Sequence, residues 1–281
     1  MTWHITSDVS AFAENAGPFL RSSPVRHTVL LTVTASLLSK GPHAYGESDP
    51  ILGWWADDRT QEVSGALLQT PPYPLTLTEV PPAAVPEAAA ALSPHRPTAV
   101  NMLVGDIPAF TAAWTARNGG TAHAGRQSRL FELAELTPPD PLPPGAARVA
   151  GPADRALLID WFRSFNEYIG EEPPNLAALV DDRMVYGGIA LWEVDGTPVS
   201  TAAYTRPEAG MARIQYVWTP PEHRRQGFAG AATTAATRNA LDAGATDVVL
   251  FTDLANPTSN ALYPRLGYRP IEDRAVVEFS R

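Results

Sequence analysis

The chain has 281 residues, 44% hydrophobic and 18% charged, an ordinary globular composition long enough for two modest cores rather than one. Thirty acidic against 21 basic residues leave a net charge of -9, which argues against a general attraction to nucleic acid or anionic lipid, so any basic patch has to be local. Cysteine is absent, which excludes disulfides, a thiol nucleophile and thiolate metal sites, and His4, His27, His43, His95, His123 and His223 are scattered without metal-ligand spacing.

In chain order, the longest early apolar stretch is HTVLLTVTASLL, His27 to Leu38. At about 12 residues it is too short to span a bilayer at ~1.5 Å per residue, and it lacks a charged leader and a small-residue cleavage site. It is expected to be a core helix or strand, in a cytoplasmic protein. Ile51 to Thr78 suggests two or three strands around Asp57-Asp58 and Pro71-Pro72. Thr78 to Pro97 holds a short alanine-rich helix; Pro108 to Gly120 reads as a helix ended by glycine, and Arg126 to Leu136 as a strand. The stretch LTPPDPLPPGAARV, Leu136 to Val149, carries five prolines and a glycine and reads as an extended connector. It divides the chain near residue 140, into 1–140 and 141–281.

The second part is more legible. Leu157, Leu158, Trp161, Phe162, Phe165, Tyr168 and Ile169 recur at helical spacing, and Asn175 caps a second short helix, NLAALVDDRM. Two apolar runs flank Asp195-Gly196, a hairpin signal, and Met211 to Trp218 is a third strand. A helix from about Gly227 to Ala243 is closed by Gly244; Asp247 to Asp253 is a continuous apolar run, the mark of a strand covered on both faces. Asn256 to Gly267 is a short helix with its stop, and Arg274 to Phe279 a last strand. The first part reads as a blurred copy of this hairpin, strand, helix, strand order, which suggests a divergent repeat.

The segment VWTPPEHRRQGFAGAAT, Val217 to Thr233, joins a strand end to a helix start. The amides from Arg225 to Gly230 are then among the first of the helix and lack intrahelical partners. Free N–H groups at the positive end of a helix dipole cradle an anion, Gly227 lets the backbone approach phosphate oxygens, and Arg224 and Arg225 add charge. The bland alternative is a helix start with solvated arginines. No Gly-Lys-Ser/Thr follows, which argues against nucleoside triphosphate hydrolysis, and no G-x-S-x-G elbow is present.

RRQGFA, Arg224 to Ala229, fits the R-x-x-G-x-A pattern of the GNAT acetyltransferase superfamily, and NPTSNALYPRLGY resembles its second signature, with Asn256 seven residues before Tyr263 and Gly267-Tyr268 at the end. The resemblance spans about Ala147 to Arg281. It implies an α/β GNAT fold, a mixed, mostly antiparallel sheet splayed at its fourth and fifth strands and flanked by helices. The 1–140 part would be a divergent, degenerate GNAT-like domain in tandem, since it lacks the R-x-x-G-x-G/A motif, loosely similar to glycine N-acyltransferase-like proteins.

The resemblance further implies acetyl-CoA as co-substrate, without a metal. Its pantetheine arm would pair with the backbone of Val217, Trp218 and Thr219, with Asn256 and Asn260 beside it. Its pyrophosphate would lie on Arg224, Arg225, Gln226, Gly227, Phe228, Ala229 and Gly230. Asn256 before Pro257 is equally good as an N-cap. Tyr263 would protonate the departing thiolate, a phenol and a thiol being of comparable basicity; a buried helix tyrosine is the alternative, and Pro264 departs from the family pattern. Asp253 is the candidate base, against a turn residue or water-mediated deprotonation. The expected function is transfer of acetyl to the amine of a small molecule in a ternary complex, with no nucleic acid or membrane partner and with a homodimer left open. A non-catalytic acyl-CoA-binding sensor or scaffold is the competing reading.

Overall fold

A computed structural model describes residues 1–171 and 175–280. In chain order the elements are β1 (Thr2–Thr6), α1 (Val9–Ser22), α2 (Thr28–Lys40), β2 (Ile51–Ala56), β3 (Val63–Gln69), β4 (Leu75–Leu77), α3 (Ala84–Leu92), β5 (Ala99–Leu103), α4 (Ile107–Asn118), β6 (Thr121–Leu133), β7 (Ala146–Val149), α5 (Arg155–Ile169), α6 (Leu176–Val185), β8 (Ile189–Val194), β9 (Thr197–Tyr204), β10 (Met211–Trp218), α7 (Phe228–Asp242), β11 (Asp247–Asp253), α8 (Pro257–Arg265) and β12 (Tyr268–Ser280). The order β-α-α-β-β-β-α-β-α-β thus occurs twice, β1 to β6 and β7 to β12, and the suggested repeat is present. Asp195 and Gly196 adopt positive φ between β8 and β9, as a two-residue hairpin of this composition requires.

The chain divides into two units. Unit 1 holds Met1–Leu130, Asp253–Ala255 and the residues from Glu272 on; unit 2 holds Phe131–Thr252 and Asn256–Ile271. The units do not part near residue 140: Phe131 to Asp140 count with unit 2, where the Ala134 amide donates to the Gly267 carbonyl at 3.0 Å and the Thr137 amide to the Leu266 carbonyl at 3.1 Å.

In unit 1 the strands lie in the order β1-β2-β3-β4-β5-β12. β1, β2, β3 and β4 pair antiparallel, β4 and β5 pair in parallel at Leu75↔Val100 and Thr76↔Asn101, and β5 pairs antiparallel with β12. The strand beside β5 therefore comes from the far end of the chain. Period-two alternation splits β3: Leu67 joins Trp55, Leu77 and the α3 alanines on one face, while Ala66 and Leu68 join Phe12, Leu20, Leu30 and Leu37 of α1 and α2 on the other. β1, α1, β5 and β7 have no counterpart among the elements expected from the sequence. In α1 the pair Gly17-Pro18 breaks the helical pattern, yet Asp8 caps the helix by accepting from the Ser10 and Ala11 amides.

In unit 2 the order is β11-β10-β9-β8-β7, antiparallel except for β10 with β11. Ala190, Trp192, Ala202, Ala212 and Ile214 face the alanine-rich side of α7 (Ala231, Ala232, Ala236, Ala240), whereas Ile189, Leu191 and Ala203 face Leu158 and Phe162 of α5 and Val180 of α6. Small side chains let α7 lie close to the sheet. Thr233, Thr234 and Thr237 satisfy their buried hydroxyls on carbonyls four residues back.

Candidate active site

β10 and β11 pair at Met211↔Asp247, Ala212↔Val248, Arg213↔Val249 and Ile214↔Leu250, and beyond that pair each strand runs on without the other. The cause lies in β10. Its register with β9 goes from Gln215↔Ala203 to Trp218↔Thr201, one extra residue on β10, and Tyr216 takes φ 51°. A bulge of this kind bends its strand and is costly for a large side chain, so packing has to hold it. Phe162 of α5 does so, with its ring stacked on Tyr216 at 4.1 Å between centroids. The expected splay between the fourth and fifth strands of the domain is present here.

From Trp218 the chain passes a short 3-10 turn at Pro221–His223, takes φ 62° at Arg225 and φ 85° at Gly227, and enters α7 at Phe228. Among the described residues, the backbone amides of Arg225, Gln226, Gly227, Phe228, Ala229 and Gly230 make no hydrogen bond within the protein. Six unpaired donors at a helix start form an anion cradle. A Cβ on Gly227 would meet only Pro143, at 3.7 Å, so the glycine is required by its φ and not by crowding. Gly230, one turn in, is crowded by Pro139 and Leu262, each with an atom at 3.3 Å from its Cβ position. The proline-rich stretch thus packs against the start of α7.

The other candidate residues are placed as follows. Val217 is half-buried; the Trp218 carbonyl accepts from Ser200 Oγ at 3.1 Å, and Thr219 Oγ1 lies 2.8 Å from Ser200 Oγ. Arg224 donates from Nε to the Thr219 carbonyl at 3.0 Å and stands over the rings of Trp218 and Tyr168, so part of its guanidinium is already engaged. Arg225 and Gln226 are exposed. Asn256 caps α8, accepting from the Ser259 amide at 3.2 Å. Asn260 accepts from Thr252 Oγ1 at 2.6 Å and donates to the Asn256 carbonyl at 2.9 Å.

Tyr263 is buried and its hydroxyl makes no hydrogen bond among the described residues. Its ring lies 6.4 Å from that of Phe131 and 6.0 Å from that of Tyr268, inside the cluster that also holds Ile214, Leu250 and Phe228. Burial alone raises its pKa, so the phenol keeps its proton throughout the neutral range. Pro264 falls in the last turn of α8, which ends at Arg265, and has no N–H to give to the Asn260 carbonyl one turn back; the Leu266 amide closes the helix on the Leu262 and Tyr263 carbonyls. Asp253 ends β11, counts with unit 1, and accepts from the Ala255 amide at 2.7 Å as a turn carboxylate does.

One residue of this site went unread in the sequence. Arg183 of α6 is 5% exposed, donates from NH2 to Gln215 Oε1, and stands 5.1 Å from the centre of the Tyr216 ring. The legible signal was its place three residues after Val180, a cation in step with the apolar face of a short helix.

Unit 1 lacks both features. Its connection from β4 to α3 carries Pro81 and Pro82, which have no N–H to offer, and no glycine. Buried Arg274 donates to the carbonyls of Leu77 at the end of β4 and of Asn101 in β5, filling the place where those strands would part.

Residues 155–268 match the family model described as Acetyltransferase (GNAT) family. Among solved structures, a Drosophila protein matches 99% of this chain and 98% of its own at 12% identity and a TM-score of 0.69. A GCN5-related N-acetyltransferase from Sphaerobacter thermophilus matches 98% of this chain and 94% of its own at 14% identity and a TM-score of 0.61. A GNAT-family acetyltransferase from Colwellia psychrerythraea matches 100% of both at 12% identity and a TM-score of 0.59. Identities so low are likenesses of fold. No curated protein matches the chain in sequence. The segment 155–268 is a GNAT-family domain, and the fold shared with GNAT structures extends over the whole chain, its first half included.

Proposed function

We propose that unit 2 is an acyl-CoA-dependent N-acyltransferase that moves acetyl from acetyl-CoA to the amine of a small molecule in a ternary complex. The observation that carries this reading is the row of six unpaired amides from Arg225 to Gly230, directly after a strand that has parted from its neighbour. These residues fit a pyrophosphate followed by an amide-bearing arm. The cradle supplies donors, Arg225 supplies charge, and the open edge of β10 around Val217 supplies backbone groups for added-strand pairing.

When bound, acetyl-CoA supplies an activated thioester carbonyl. Asn256 keeps its side-chain amide donors for the arm while its oxygen caps α8. Tyr263 holds a proton on a hydroxyl with no partner among the described residues and is the donor for a departing thiolate; burial raises its pKa and so makes it a weaker acid than a free phenol, and the same burial raises the basicity of a thiolate formed beside it. Gln215 and Tyr216 offer no carboxylate on β10, so the amine is deprotonated through water or by Asp253. Unit 1, with its cradle lost and its gap filled by Arg274, is the degenerate half.

Isothermal titration with acetyl-CoA, joined to a thiol-release assay over an amine panel, tests the reading. Binding with release from at least one amine supports it; binding without release from any favours the sensor, and no binding sinks both.

A further inference from the structure

Among the described residues Arg183 makes no ion pair, and its NH1 is buried and has no hydrogen-bond partner. Its NH2 donates to Gln215, its guanidinium faces the Tyr216 ring, and neither neighbour is charged in the neutral range. A buried guanidinium with an idle donor is unfavourable unless an anion completes it. Arginine suits a carboxylate in particular, since its planar fork matches two oxygens.

The position of this cation says whose carboxylate it is. Gln215 is the first residue of β10 after the Ile214↔Leu250 pair, so Arg183 is hydrogen-bonded to the mouth of the gap. It reaches that mouth on the α5 and α6 face, through Tyr216 and Phe162, whereas Phe228 of the cradle helix and Tyr263 belong to the cluster on the α7 face. Cofactor elements lie on one face and the idle cation on the other.

We propose that Arg183 anchors a carboxylate of the acyl acceptor, which makes the acceptor an amine bearing a carboxylate, of the amino-acid class. The inference rests on the transferase reading of the same gap. Arg183 is a specificity residue here, with Gln215 holding its fork in place.

Titration of the unaltered protein with N-acetyl amino acids and with their primary amides tests this, because these products bind without turnover. The expected result is acids binding at least tenfold more tightly than amides, with the ratio falling towards one in R183Q and partly retained in R183K. Equal affinity for acids and amides overturns the proposal. So does binding of neither, or a ratio that survives in both variants.

The same carboxylate could belong to the acyl chain, and thiol release with succinyl-CoA against acetyl-CoA separates the sources. An Arg183-dependent preference for succinyl-CoA with amines that lack a carboxylate overturns the assignment to the acceptor. The acid-to-amide comparison uses the native protein, so it stands even where R183Q does not fold. Failure of the transferase reading is seen separately, as loss of acetyl-CoA binding or of thiol release.

Discussion

The ring of Tyr216 lies 4.1 Å from that of Phe162, 11° from parallel, and Tyr216 is the residue at which β10 takes φ 51°. A strained backbone position in the strand that opens the gap is therefore held by one fully buried aromatic of α5. Loss of that ring both leaves a cavity and frees the bulge to relax. Phe162→Ala is expected to cost about 3–5 kcal/mol, read as a lower urea midpoint, and to weaken acetyl-CoA binding in the fraction that stays folded. Unchanged affinity would separate the bulge from the gap.

Gly227 sits at φ 85° with ordinary room for a Cβ. Gly227→Ala is expected to cost about 1–2 kcal/mol from the left-handed backbone alone. Gly227→Glu adds a carboxylate beside the six free amides and is expected to abolish acetyl-CoA binding in a calorimetric titration. Wild-type affinity in Gly227→Glu would refute the placement of the phosphates.

Tyr263→Phe removes one hydroxyl that has no partner among the described residues, so folding should change little. Turnover is expected to fall by roughly 10² to 10⁴, on the order of losing a general acid, with acetyl-CoA affinity nearly intact. A collapse of affinity instead would make Tyr263 structural.

Tyr263 and Tyr268 are both pushed up by burial, and the Tyr268 hydroxyl lies 2.6 Å from Thr237 Oγ1. As pH rises past about 10 the unfolded chain releases these protons while the fold still holds them. The folded state then binds more protons, and stability falls with rising pH until the folded pKa is passed. Urea midpoints measured at about pH 8 and about pH 10.5 should drop for the native protein and drop less for Tyr263→Phe. An equal drop in both would show that other groups govern the alkaline limb.

Much of unit 2 was legible because its signals are local. The Asp195-Gly196 turn, the Asn175 and Asn256 caps, and the glycine stops at Gly244 and Gly267 each act within a few residues. Unit 1 was harder, since β4 has three residues and α1 contains Gly17-Pro18, so neither shows a clear period.

By itself the amino-acid order determined the row of free amides, because unpaired amides at a helix start follow from where the helix begins, and its resemblance to the GNAT signature pointed to Tyr263 and Asn256. Tertiary structure alone decided three things. It closed unit 1 beside β5 with a strand from the other end of the chain, it parted β10 from β11 through a bulge held by Phe162, and it buried Arg183 with no ion-pair partner among the described residues. Each depends on residues far apart in sequence meeting in space, and the energy of such a meeting lies in packing and desolvation, which no local pattern records.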